Sequence, residues 1–258
     1  MVDISNLLSK TYSVLDPGSN ILFGKKTDIS SIDIPGFKRL FHNIPTNLNK
    51  NRIRKTNEIS YGYTNYAGAH RKTVCSMQDK LLLVGNRIGY DINIPDLLCT
   101  HTNDDSKLFY EVYIRDILSL LNNILMENFP EIYCKQNDKI FDDFKINCTC
   151  FTKVTIRVSD INDPPCPMHT DRSNCGYACI LILSLDKNEH FSGGEQVLQI
   201  GTNVFKLKCC HGDIFIGEYH NLLHGVLSVK KGIRCAIIAY TSKKIISYCR
   251  LRKMISLT

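Results

Sequence analysis

The chain has 258 residues, 43% hydrophobic and 22% charged, which excludes a disordered or fibrous polypeptide and fits one large globular unit. The formal net charge is +7, with basic clusters at Lys50, Arg52, Arg54 and Lys55, at Arg71 and Lys72, at Lys243 and Lys244, and at Arg250, Arg252 and Lys253. That balance suits a polyanionic partner such as nucleic acid, although ordinary solubility explains it equally well. The opening "MVDISNLLSKTYSVLDPGSN" has no basic segment followed by an apolar core, and no apolar run is long enough to span a bilayer. The expectation is an intracellular protein, nuclear or cytoplasmic, not secreted and without a membrane partner. Its twelve cysteines are then expected to be reduced thiols rather than a disulfide framework.

In chain order, residues 1–105 read as an irregular N-terminal extension, with turn signals such as "DPGSN" and "IPGF". It is expected to pack on the core and to contact substrate. Within it, "SYGYTNYAGAHRKT" (60–73) sets Tyr61, Tyr63 and Tyr66 beside His70, Arg71 and Lys72. A nucleic-acid-contacting loop is one reading; a half-buried strand with its tyrosines on the core is the favoured one. Residues 106–258 read as a buttressing helix and a β core. The helix spans 106–129, with Leu108, Val112, Ile117, Leu118, Leu121 and Leu125 near helical spacing. Asp104, Asp105 and Ser106 offer an N-cap, and Pro130 ends the helix.

After Asn147, short β-branched and apolar runs alternate with turn residues: 150–158, 178–185, 195–200, 203–208, 213–217, 224–229 and 234–241. Strands at this spacing predict a sandwich or jelly roll. The fold class is thus mainly β with an α buttress, a double-stranded β-helix flanked by N-terminal helices.

Within this β region, "PCPMHTDRSNCG" (165–176) places His169 and Asp171 one residue apart. On an extended strand such side chains share a face. They form two thirds of the 2-His-1-carboxylate set that holds non-haem Fe(II). Downstream, His224 opens one strand and Arg234, ten residues on, begins the last. A jelly roll can bring both into one mouth of the barrel, with His224 completing the triad and Arg234 forming a bidentate pair with a dicarboxylate. His220, His211 and His190 are rivals on spacing; His220 is expected at the rim and His190 in a solvated turn. Cys148, Cys150, Cys166, Cys175, Cys179, Cys209 and Cys210 show no matched CxxC pairs, so buried thiols are favoured over a zinc site.

The order H-x-D, Gly193-Gly194, distal His224 and Arg234 resembles the Fe(II)/2-oxoglutarate-dependent dioxygenases over residues 150–242. The resemblance implies His169, Asp171 and His224 as iron ligands and Arg234 as the anchor of the distal carboxylate of 2-oxoglutarate. It also implies O2 as co-substrate, ascorbate as a possible reductant, and hydroxylation of a C–H bond coupled to decarboxylation of 2-oxoglutarate. Asn174, three residues after Asp171, is a guess from proximity for a co-substrate or substrate pocket. Within the superfamily, the arginine and the closing "AYT" look most like the TET/JBP branch, since prolyl 4-hydroxylases usually carry lysine at the anchor. The chain departs from animal members in lacking a Cys-rich domain of clear zinc spacing. The branch implies oxidation of the 5-methyl group of 5-methylcytosine or thymine in nucleic acid, DNA favoured. Two alternatives stand beside it: a prolyl or lysyl side-chain hydroxylase with a protein substrate, and a catalytically inactive jelly-roll binding module.

Overall fold

The apolar runs after Asn147 become strands whose two faces meet different neighbours. The computed structural model describes residues 2–3, 13–14, 22–44, 58–65, 95–97, 104–186 and 190–255. Among the described residues, fifteen strands run in chain order: β1 (Val2–Asp3), β2 (Ser13–Val14), β3 (Leu22–Lys26), β4 (Glu58–Asn65), β5 (Pro95–Leu97), β6 (Lys153–Ser159), β7 (Cys166–His169), β8 (Asn174–Ser184), β9 (Ser192–Gly193), β10 (Gln196–Ile200), β11 (Asn203–Leu207), β12 (Asp213–Gly217), β13 (Leu223–Val226), β14 (Val229–Lys231) and β15 (Arg234–Ser242). Among them, a major sheet has the order β2-β3-β12-β8-β15-β6-β4-β5 and a minor sheet the order β1-β11-β10-β13-β7; β9 and β14 form a separate pair. All pairings are antiparallel except β1 with β11. The mainly β architecture expected from the sequence is therefore present. The run 224–229 splits in two: β13 stays in the minor sheet and β14 leaves to pair with β9.

The helices are α1 (Ile34–Asn43), α2 (Asp104–Phe109), α3 (Arg115–Asn128), α4 (Pro130–Asn137) and α5 (Lys243–Ile255). Among the described residues none is long and apolar enough to cross a membrane. Strand alternation explains the two larger cores. On β8, Cys179, Leu181 and Leu183 face the helices, while Ala178, Ile180 and Ile182 face the minor sheet. Both faces being covered, β8 reads as one continuous apolar run. The helix-side core also holds Phe37 of α1, Ile117, Leu118, Leu121 and Leu125 of α3, and Ile237 of β15. The inter-sheet core holds Leu198, Leu207, Phe215, Tyr219 and Ala236.

The helix expected over 106–129 is corrected in one respect. A π-helical turn, Tyr110–Ile114, separates α2 from α3. Leu108 and Val112 are 50% and 47% exposed, and Phe109, Tyr113 and Ile114 are buried instead. Asp104, Asp105 and Ser106 form the first turn rather than a preceding cap, and Pro130 begins α4 rather than only ending α3.

The N-terminal stretch read as irregular supplies strands to the major sheet: β3 pairs with β12, and β4 pairs with β6. Tyr61 on β4 is buried, and its hydroxyl donates to the Ser106 carbonyl at 2.9 Å. Tyr61 thus follows the core reading of the 60–73 stretch. Tyr66, His70, Arg71 and Lys72 lie outside the described residues, as do Lys50, Arg52, Arg54 and Lys55.

Among the described residues, Cys134, Cys148, Cys150, Cys166, Cys175, Cys179, Cys209 and Cys235 are free thiols. Burial pushes the thiols of Cys150 and Cys235 up to about 12, and it does the same to the Tyr61 hydroxyl. These groups are acids whose neutral form the fold favours, so the unfolded chain loses their protons first. Their stabilising effect is complete below about pH 9 and disappears as pH rises toward 12. Denaturant unfolding is predicted to show a constant midpoint from about pH 7 to about pH 8.5, and a falling one above that.

Candidate metal and co-substrate site

The site is built where the minor sheet ends against the major one. His224 on β13 is the direct cross-strand partner of His169 on β7, so the two imidazoles stand side by side. Their ring centroids are 4.4 Å apart. Asp171 reaches them differently from the sequence expectation. Strand β7 stops at His169, and Asp171 begins a turn in which its own carbonyl accepts from the Asn174 N–H at 2.8 Å. Its N–H donates to the Tyr219 carbonyl at 3.0 Å. A turn, not a shared strand face, therefore aims the carboxylate.

The convergence is close. Asp171 Oδ1 lies 3.4 Å from His169 Nε2, and Asp171 Oδ2 lies 3.9 Å from His224 Nε2. One ligand atom from each of the three residues falls within 4.8 Å of the others. Both histidines are oriented from behind: His169 Nδ1 is 2.8 Å from the Pro167 carbonyl, and His224 Nδ1 is 2.9 Å from the Leu222 carbonyl. With Nδ1–H donated to carbonyls, each Nε2 carries a lone pair directed at the carboxylate. The Asn174 amide donates to Asp171 Oδ2 at 3.1 Å and fixes that oxygen. Burial pushes the His224 pKa down, opposed by the Leu222 carbonyl and by Asp171, which favours the neutral ring. Two imidazoles and a carboxylate facing one point fit a divalent transition metal.

Arg234 opens β15 on the inward face, together with Ala236, Ile238 and Tyr240. It is 5% exposed, and its Nε has no hydrogen-bond partner. A cavity of about 250 Å³ contains the three metal-facing residues, Arg234 and Asn174 in its wall. A buried guanidinium with an unused N–H is costly alone and complementary to a carboxylate. The Gly193-Gly194 turn explains its seat. Both glycines have positive φ, and a Cβ on Gly194 would lie 2.7 Å from Arg234 Cδ. The inward face of β6 contributes Thr155, Arg157 and Ser159 to the same cavity.

The rival histidines stand apart. His211 Nδ1 accepts from the Ser184 N–H at 2.9 Å, His190 is exposed, and His220 lies in the turn after β12. Among the described residues, no second cluster has metal-ligating geometry, and the cysteines form none. Sequence reasoning missed Tyr219 and Gln196. Tyr219 packs its ring edge-on to His224 with centroids 4.9 Å apart, and its hydroxyl receives the Gln196 amide N–H at 3.1 Å. The available signal was the polar start of the run "EQVLQI", where Gln196 opens the strand.

No protein-family model matches the chain, and no curated protein matches it. Among solved structures, the fold is similar to that of NgTET1 in complex with 5mC DNA, with a TM-score of 0.66 and 11% identity over 96% of this chain and 86% of that one. A 2OG-Fe(II) oxygenase family oxidoreductase from Burkholderia pseudomallei matches at TM-score 0.34 and 16% identity, over 57% of this chain and 58% of that one. A Pseudomonas putida prolyl-4-hydroxylase matches at TM-score 0.30 and 13% identity, over 35% and 48%. The first likeness establishes a shared fold.

The geometry predicts one divalent metal per chain. Calorimetric titration with Mn(II) is expected to give single-site binding that His169→Ala, Asp171→Ala and His224→Ala each weaken roughly tenfold or more, while His211→Ala leaves the metal affinity intact.

Proposed function

We propose that the protein is an Fe(II)- and 2-oxoglutarate-dependent dioxygenase acting on the 5-methyl group of a pyrimidine base in nucleic acid. One observation carries the chemistry: a 2-His-1-carboxylate set shares a cavity with a buried arginine whose N–H is unused. His169, Asp171 and His224 would hold the metal, leaving coordination positions open toward the cavity. Arg234 would grip the distal carboxylate of the diacid. Bound Fe(II), with 2-oxoglutarate and O2, supplies hydroxylation of a C–H bond coupled to release of succinate and CO2.

The chain's own residues do the remaining work. The Pro167 and Leu222 carbonyls hold the imidazoles in the tautomer that presents Nε2, and Asn174 holds the carboxylate. The apolar walls formed by Ile180, Ala236 and Ile238 limit water at the reacting centre. Thr155, Arg157 and Ser159 provide a polar wall against which a base edge can be hydrogen-bonded.

Support for a nucleic-acid substrate comes from the likeness to NgTET1, solved with 5mC DNA, and from charge placement. The Lys243 N–H donates to the Ser173 carbonyl at 2.8 Å, which seats the start of α5 beside the Asp171–Asn174 turn. Ser173 lines the cavity, and Arg172 next to it in the chain and Lys243 and Lys244 at the start of α5 are exposed. Cations at the rim suit the phosphates that flank a base flipped into a pocket.

Incubation with Fe(II), ascorbate and 2-oxoglutarate is expected to yield succinate, and nucleoside mass spectrometry of methylated DNA a hydroxymethyl base. Absence of both 2-oxoglutarate binding and succinate would overturn the dioxygenase reading. Unchanged DNA alongside an oxygenated peptide would transfer the chemistry to a protein side chain. Arg234→Ala is expected to weaken 2-oxoglutarate binding roughly a hundredfold, as when a buried ion pair loses one partner. The pair Arg172→Ala and Lys244→Ala is expected to weaken DNA binding and to reduce the slope of log K against log salt by about two.

A further inference from the structure

Gln196 lies at the first position of β10, 4% exposed and in the cavity wall. Its Nε2 donates to the Tyr219 hydroxyl, and its Oε1 is buried with no partner. A buried amide oxygen without a donor is unfavourable, and native folds rarely leave one unexplained. Arg234 is close by. Gly194, two residues before Gln196, abuts the Arg234 side chain, and Gln196 and Arg234 line the same cavity. Two residues of the cavity wall thus carry incompletely bonded polar atoms, Arg234 Nε and Gln196 Oε1.

One rearrangement satisfies the amide oxygen. A half-turn of the amide, which leaves its shape unchanged, would let Oε1 accept from the Tyr219 hydroxyl and would direct Nε2 into the cavity. An N–H there complements a carboxylate seated on Arg234. Resting on the oxo-acid reading above, the geometry points to Gln196 as a second ligand of the co-substrate's distal carboxylate, held by Tyr219. Tyr219 fits that role because it also touches the metal side. Its carbonyl accepts from the Asp171 N–H, and its ring stands against His224. The tyrosine ties the carboxylate end of the pocket to the metal end and sets the spacing between them. A diacid of matching length is favoured over a monoacid lacking the distal group.

The test is calorimetric titration of 2-oxoglutarate into the Mn(II)-loaded full chain, with Mn(II) affinity measured separately for each variant. Gln196→Leu is expected to weaken 2-oxoglutarate binding roughly tenfold, the scale of one hydrogen bond to a charged group. Gln196→Glu is expected to weaken it further, because a second negative charge would face the carboxylate. Tyr219→Phe is expected to cost roughly three- to fivefold, since the amide loses its brace. Mn(II) affinity should stay at the unsubstituted level in both Gln196 variants. Unchanged 2-oxoglutarate affinity in Gln196→Leu and Gln196→Glu would overturn the inference alone. Parallel loss of Mn(II) affinity would also overturn it, by assigning Gln196 to the fold rather than the ligand. If the unsubstituted chain binds Mn(II) but no 2-oxoglutarate, the oxo-acid reading fails and takes this inference with it.

Discussion

The pairing of His169 with His224 across β7 and β13 is the contact on which the site depends. Strand β7 is the edge of the minor sheet, held by two register pairs, His224 with His169 and Val226 with Cys166, with an irregularity between them. A slip of one residue would send His169 to the opposite face and leave Asp171 without a neighbour. The turn after His169 is tied down independently through the Tyr219 carbonyl, the Asn174 amide and the start of α5. A short edge strand thus gains a fixed position from contacts on three other elements.

The major sheet contributes rigidity and the buried arginine. Strand β15 lies between β8 and β6, paired along nearly its whole length to both. Arg234 stands at its first position, where alternation turns it inward with Ala236 and away from the helix-side core formed by Cys235 and Ile237. The guanidinium is anchored on the most heavily paired strand, and the two histidines hang from the lighter sheet. The cavity is the gap between the two sheets, where side chains do not interdigitate.

Much of this was legible in the sequence because its signals are local or periodic. The apolar runs of β8 and β15 announce strands covered on both faces. The spacing of His169, Asp171, His224 and Arg234 carries the site, and Gly193-Gly194 marks a turn that only glycine can make beside Arg234. What was not legible depends on tertiary context. Nothing local distinguishes Leu108 and Val112 from the buried Phe109 and Tyr113; the π-helical turn decides it. Strands β3 and β4 are hidden among turn residues because their order comes from pairing with β12 and β6, far along the chain. Tyr219 and Gln196 acquire meaning only from the groups they meet across the sheets.

The most direct measurement of the central claim is anomalous diffraction from crystals grown anaerobically with Mn(II) and 2-oxoglutarate. The account predicts a single manganese peak bonded to His169 Nε2, Asp171 and His224 Nε2, with the diacid reaching from the metal to Arg234. A cavity without manganese, or manganese held by other side chains while these three stay unbound, would contradict it.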